Sequence, residues 1–290
     1  MKEILFNIIK IGLPLSIMGT VFAQGLMLSP GQQVAFFKEH PLLMLRSLVV
    51  VLVLVPLAAL AIILLLRPSP AIVIGLAILA ASPVAPLQFM NIAKQGGSLA
   101  YLGALHVSLA LLAIITVPSV LYLLSQALGF QAEVGVFQVA KTVGQTIFLP
   151  VILGIVVRHF FPKAADKISP ALGKVAQITV YVLALPILVK TSGLLLKMDL
   201  WSYVVIAIFI IANLAIGHVL GPRDAQGRTT LAMESGARNF GLAVMLGVLN
   251  FSREEALPVF IPYIILFMVI STIYLKWRKS ATAHAEVVKT

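Results

Sequence analysis

The sequence predicts an all-helical membrane protein built as two inverted repeats, with two discontinuous helices that cross. Three observations carry that reading. The chain has 290 residues, of which 60% are hydrophobic and 11% charged, and a soluble domain cannot bury that much apolar surface. Its apolar runs recur at about 20 residues, the length that crosses a bilayer as a helix. Two of these runs are interrupted near their middles, each the last but one of its half. Paired interruptions of this kind mark inverted-repeat membrane folds, with a site where the breaks meet.

Nine spans are expected, divided by Pro, Gly or charge. The first runs from about Ile4 to Leu28, and the second from Pro41 to Leu66, before Arg67-Pro68. The third begins at Ala71 and is interrupted by Ser82-Pro83-Val84-Ala85-Pro86. The fourth covers Leu99 to Leu128, and the fifth Val139 to Val157, with Pro150 inside. The sixth covers Leu172 to Leu195, with Pro186 inside, and the seventh Trp201 to Leu220. The eighth, Thr229 to Leu249, is interrupted by a polar cluster. The ninth runs from Pro258 to Leu275. All 290 residues form one membrane domain, with repeat one at about 1–128 and repeat two at about 134–276.

Positive charge sets the expected orientation. Numbering the loops alternately, one side collects Lys38, Arg46, Lys94, Arg158, Lys163, Lys167, Lys174, Arg223, Arg228, Lys276, Arg278 and Lys279. The other collects Lys2, Arg67, Lys190, Lys197 and Arg253, while Lys10 and Lys141 fit either. The richer side is cytoplasmic by the positive-inside rule. The N-terminus is then outside, the C-terminus inside, and the protein multi-pass in the inner membrane. The same loops account for the net charge of +11 without a nucleic-acid partner. Lys2, Glu3 and Lys10 flank an apolar stretch with no convincing cleavage site, so the first helix is expected to be retained. With no cysteine, disulfides and thiolate metal sites are excluded.

The eighth span is otherwise apolar, yet it contains Glu234-Ser235-Gly236-Ala237-Arg238-Asn239. A charged side chain facing lipid costs roughly 2.5–3.5 kcal/mol on insertion scales, so such groups face a cavity or each other. Gly236 and Gly241 let the backbone open, which membrane depth tolerates only where protein or water satisfies it. This stretch is the candidate site.

The run Glu234 to Ala243 resembles a motif of the bile acid:sodium symporter family, Glu-x-Gly-x-Gln-Asn on a crossing helix. Gly25 to Pro30, followed by Phe36-Phe37 and His40-Pro41, is similar to an early loop of that family. Ser82-Pro83 and Ala93-Lys94-Gln95-Gly96-Gly97 are similar to the break and end of its first crossing helix. The resemblance implies a bacterial, nine-span member with panel and core domains and two discontinuous helices crossing in the core. It also implies that Glu234 and Asn239 occupy sodium-site positions. Arg238 stands where the motif has Gln, and Pro86, Leu87, Gln88 and Asn91 replace a Ser-Asn pair. Tyr101 and Leu105 fall near the places of hydroxyl ligands. A guanidinium offers a hard cation no oxygen, so the coupling ion is left open between sodium, a proton and none.

Glu234 is read either as a cation ligand or as the partner of Arg238 in a salt bridge that replaces the cation, since i and i+4 share a helix face. Arg238 is that partner, or also meets an anionic substrate with its remaining donors. Asn239, Gln88, Asn91 and Tyr101 complete the expected substrate contacts; Gln88 and Asn91 have the plainer alternative of capping a broken helix. His106, Asn213 and His218 read first as groups that tie helices together, with a proton relay as the second reading for His106.

The function expected is secondary transport of a small organic anion, without a cofactor beyond a coupling ion such as Na+. An ATP-driven pump lacks its phosphate-binding Gly-rich loop with Lys, and arsenite export its soft cysteine ligand. The alternative is an integral-membrane enzyme acting on a lipid or amphiphile. Gly236-Ala237-Arg238 is similar to part of a phospholipid-synthesis motif, but Asp166, Asp199 and Asp224 lie in loops or at span ends. The chain is therefore read as no enzyme. Its partners are the anion and the lipid bilayer, and the sequence sets no oligomeric state.

Overall fold

The structure is a computed structural model and describes residues 2–83, 85–94, 97–131, 136–195, 198–251 and 253–287. Val84, Gln95, Gly96, Lys197, Thr290 and the start of the second repeat near residue 134 lie outside the described residues. The regular structure among the described residues is helical throughout.

The chain opens with α1 (Lys2–Met27) and turns into α2 (Pro30–Glu39). The next rod is α3 (Pro41–Val49), one π turn (Val50–Leu54) and α4 (Val55–Leu66). Two short helices follow, α5 (Pro70–Ala80) and α6 (Pro86–Lys94), and then the long α7 (Leu99–Leu128). The second half repeats a rod with a π turn: α8 (Val136–Val143), Gly144–Phe148 and α9 (Leu149–Phe160). It continues with α10 (Pro162–Leu195), α11 (Leu200–Leu220), the short pair α12 (Ala225–Gly236) and α13 (Phe240–Asn250), and α14 (Arg253–Val287).

Local chemistry explains these boundaries. Proline opens α2, α3 and α5, where its missing N–H costs nothing. Both π turns lie just ahead of a proline, Pro56 or Pro150. The wide turn is closed by Val55 N–H to Val50 O in one case and Leu149 N–H to Gly144 O in the other. Widening gives the proline ring room beside a carbonyl it cannot bond. Gly129 ends α7 with φ +74°, the left-handed cap that glycine adopts without strain.

Five described helices are long and apolar enough to cross a membrane: 41–66, 99–128, 140–160, 200–220 and 258–280. A sixth appears if 11–27 and 31–39, bent by 73°, count as one. Of the nine expected segments, the third and eighth are each split into a short pair, and the sixth falls within α10. Leu65, Leu123, Val219 and Ile273 are exposed on the long helices, an apolar surface suited to lipid.

Two expectations are corrected. The stretch around Phe36-Phe37 is helix α2, where an early loop was expected; Pro30 starts a helix and α2 packs on α7. The sixth segment starts ten residues earlier than Leu172, at Pro162, because Lys163, Lys167 and Lys174 continue the helix toward water. The ninth span begins at Pro258 as expected, inside a helix that starts at Arg253.

The helices pack in two groups. In one, α1 lies against α9 and α10. In the other, α11 packs on α4, α12 and α14, and α14 on α5 and α13. Arg158, at the end of α9, ties its group together by donating to Leu26 O (2.7 Å), Ser29 Oγ (3.1 Å) and Asp166 Oδ1 (2.8 Å). The crossing of α1 and α9 is close. A Cβ on Gly25 would lie 2.3 Å from Val151 O, and one on Gly154 2.4 Å from Phe22 O. Small residues at such crossings replace the hydrophobic drive that lipid cannot supply.

Gly154→Val should therefore lower the thermal unfolding midpoint of the purified protein, an overpacking loss of about 1–3 kcal/mol or more. Gly31→Ala, whose Cβ meets nothing within 4 Å, should leave the midpoint unchanged.

Candidate functional site

The two broken segments meet. Asn239 N–H, in the break between α12 and α13, donates to Ser82 O in the break between α5 and α6 at 2.9 Å. Each half then packs on the opposite half of the other pair, α5 on α13 and α6 on α12. Ser82 is held by its own helix end, its Oγ donating to Ile78 O at 2.7 Å. On the other side, Asp224 caps α12 by accepting from Gly227 N–H (2.6 Å), and Asn239 caps α13 by accepting from Leu242 N–H (3.0 Å). Both are the short polar residues that favour this position.

The last carbonyls of α12 would be orphaned by the break. All four find donors. Met233 O accepts from Ala237 N–H at 2.9 Å. Glu234 O and Ser235 O both accept from Arg238 Nη2, at 2.9 and 2.7 Å. Gly236 O accepts from the hydroxyl of Tyr263 on α14. The guanidinium thus lies at the negative end of the α12 dipole, where a cation is favoured. It is only 4% exposed, and its Nε and Nη1 have no hydrogen-bond partner among the described residues.

This arrangement corrects the expected Glu234–Arg238 salt bridge. The helix ends at Gly236, so residues 234 and 238 do not share a helix face. Arg238 bonds backbone, and the carboxylate faces His106 on α7 instead, Nδ1 to Oε1 at 3.6 Å.

Close packing fixes α12 beside α11. A Cβ on Gly217 would stand 2.5 Å from Leu231 O, and one on Gly236 2.8 Å from Leu214 Cδ2. Thr230 Oγ1 accepts from Ser98 N–H at 3.0 Å and so joins the start of α7 to α12.

The other expected residues are placed as follows. Gln88 and Asn91, half-buried on α6, bond one another, Asn91 Nδ2 donating to Gln88 Oε1 at 3.3 Å. Tyr101 is buried, with its hydroxyl paired to Ser47 Oγ and its ring stacked on Phe36. Its polar group is spent on packing α7 against α3. His218 ties α11 to α14 through Tyr274 (2.9 Å). The buried amide of Asn213, expected to tie helices, has no hydrogen-bond partner among the described residues. Three residues of this region were not foreseen. Tyr263 binds the break, while Gln24 on α1 donates to Pro86 O and Gln177 on α10 to Leu87 O (3.1 Å), both in the first turn of α6. Their signal is a lone polar group on an apolar helix.

The sequence model of the Sodium Bile acid symporter family matches residues 14–198, more than half of the chain. No curated protein matches the chain.

Two substitutions test the break. Asn239→Ala should lower the thermal midpoint by a cap's worth, about 1 kcal/mol, and Asn239→Asp should restore it. Tyr263→Phe leaves the Gly236 carbonyl buried and unpaired and should cost about 1–3 kcal/mol.

Proposed function

Because the chain belongs to the Sodium Bile acid symporter family, a family of sodium-coupled organic-anion transporters, we propose that it moves a small organic anion by secondary transport. The observation that carries this reading is Arg238. One guanidinium nitrogen is fixed on the α12 carbonyls. Two further donor nitrogens, buried and without a partner among the described residues, suit a carboxylate or sulfate through the planar fork of arginine. The N-terminus of α13 begins two residues later and favours negative charge. Gln88 and Asn91 on the facing broken pair, with Asn239 at the meeting point, supply further polar contacts. Tyr101 supports the site by packing.

The same geometry bears on the coupling ion. Arg238, at the position where the family motif has Gln, carries a permanent positive charge and offers sodium no oxygen ligand. Sodium dependence is accordingly weak. The membrane-enzyme reading gains no support from the family match.

The architecture proposed is nine spans in inverted repeats of about 1–128 and 134–276. The group of α1, α9 and α10 acts as the panel, and the group around α11, α12 and α14 as the core; the packing of the helices supports this division. The N-terminus is outside and the C-terminus cytoplasmic, in the inner membrane.

Uptake into proteoliposomes across a panel of organic anions, with and without a sodium gradient, tests the function. Saturable uptake that needs a sealed compartment and changes little with sodium is expected. Arg238→Gln should abolish uptake or make it sodium-dependent, losing charge-assisted bonds of about 1.5–3 kcal/mol each. Strong sodium dependence of the unmodified protein, unaltered in Arg238→Gln, would show the reading to be wrong. A reporter active only outside the cytoplasm, fused at Thr290, should stay silent.

A further inference from the structure

Away from the break, the ends of α11 and α14 meet the start of α12. The spans 200–220 and 258–280 both finish there, and α12 begins one short turn later, at Ala225. His218 Nδ1 and the Tyr274 hydroxyl are 2.9 Å apart, and the Trp277 ring lies tilted beside both, at 5.2 and 5.9 Å. Two arginines flank these rings. Arg228 donates from Nε to Pro222 O at 3.2 Å, and Arg278 from Nη2 to Ala225 O at 3.4 Å, so the turn between α11 and α12 holds both guanidinium groups. The stem of Arg228 lies against Gly221, where a Cβ would stand 3.2 Å from its Cγ. The guanidinium of Arg278 is 5.9 Å from the centre of the Trp277 ring. Both charges act on the His218–Tyr274 pair.

A backbone carbonyl orients a guanidinium without neutralising it. Asp224 turns one oxygen to its own helix, Oδ1 accepting from Gly227 N–H at 2.6 Å. Arg228 and Arg278 are half-buried, and like charges gathered at such a place repel more strongly than in open water. Arg223, Lys276 and Lys279 add exposed positive charge around them. Directly beside this charge the surface is apolar: Val219, Ile273 and Trp277 are 75%, 62% and 53% exposed. A soluble anion would use only the arginines. A phospholipid uses both parts, its phosphate on the planar forks and its chains along Val219, Ile273 and Trp277. Tryptophan favours this depth, where hydrocarbon meets headgroups, and basic pockets between membrane helices suit anionic headgroups.

We propose that Arg228 and Arg278, with Trp277, bind the headgroup of an anionic phospholipid, which clamps the start of α12 to the end of α14. The inference does not depend on the transport reading above.

Quenching of Trp277 tests it. The chain has two tryptophans, and Trp201 lies at the opposite end of α11, so Trp201→Phe leaves Trp277 as the only tryptophan emitter. In nanodiscs of phosphatidylcholine, added phosphatidylglycerol with brominated chains should quench it severalfold more than phosphatidylcholine with the same brominated chains. Arg228→Gln with Arg278→Gln should remove that excess. Lys276→Gln with Lys279→Gln, which takes the same charge from exposed positions nearby, should leave most of it. Equal quenching by the two lipids would overturn the proposal, and this arm needs no arginine variant. Equal losses in the two double variants would overturn it too, since the attraction would then be diffuse surface charge. An excess abolished by inorganic phosphate at constant ionic strength would do the same, by making this a site for a soluble anion. In the unmodified protein, phosphatidylglycerol should raise the thermal unfolding midpoint above its value in phosphatidylcholine alone, and an unchanged midpoint would overturn the clamp.

Discussion

A helix that breaks inside a membrane leaves carbonyl groups that water is not there to satisfy. The last turn of α12 meets this constraint with three separate devices: a closing backbone bond at Met233, one Arg238 nitrogen shared by residues 234 and 235, and the Tyr263 hydroxyl on Gly236. The rest of the site follows from them. Tyr263 requires α14 to lie against the break. Asn239 restarts the helix and sends its own N–H to Ser82, so the two interruptions hold one another open. Gly217 and Gly236 let α11 and Leu214 come close enough to close the far side.

In the proposed reading, Arg238 stands where the family motif would help hold a cation. A bound ion would leave when the site opens; an arginine stays. The attraction it offers an anion would then be present in every state, which favours binding but gives release no assistance.

Much of this fold was legible because its breaks are written locally. Ser82-Pro83 and Pro86 cannot continue a helix, and Gly236 followed by Arg238-Asn239 marks an end and a new cap. Both interruptions fall where the sequence put them. The Glu234–Arg238 pairing was misread for a related reason: the i, i+4 rule needs a continuous helix, and the break that defines the site removes it. Helix α2 escaped because its turn away from α1 depends on packing against α7, which no local pattern encodes. Gln24, Gln177 and Tyr263 share another obstacle. Each meets a carbonyl distant in the chain, so the residue is visible in sequence and its purpose is not. His106 was visible as a polar intruder, but the carboxylate across from it belongs to a helix more than a hundred residues away.

The two glutamines that grip the first turn of α6 have a mechanical consequence. Gln24 comes from α1 and Gln177 from α10, and they bind the neighbouring carbonyls of Pro86 and Leu87. If the broken pair shifts against this group, Gln24 loses its acceptor, while Gln177 keeps its bond to Tyr181 Oη (3.1 Å) on its own helix. The Gln24 carboxamide is then stranded, which is costly until a new acceptor comes into register. Any sliding at this surface would favour a few discrete stops over a continuum.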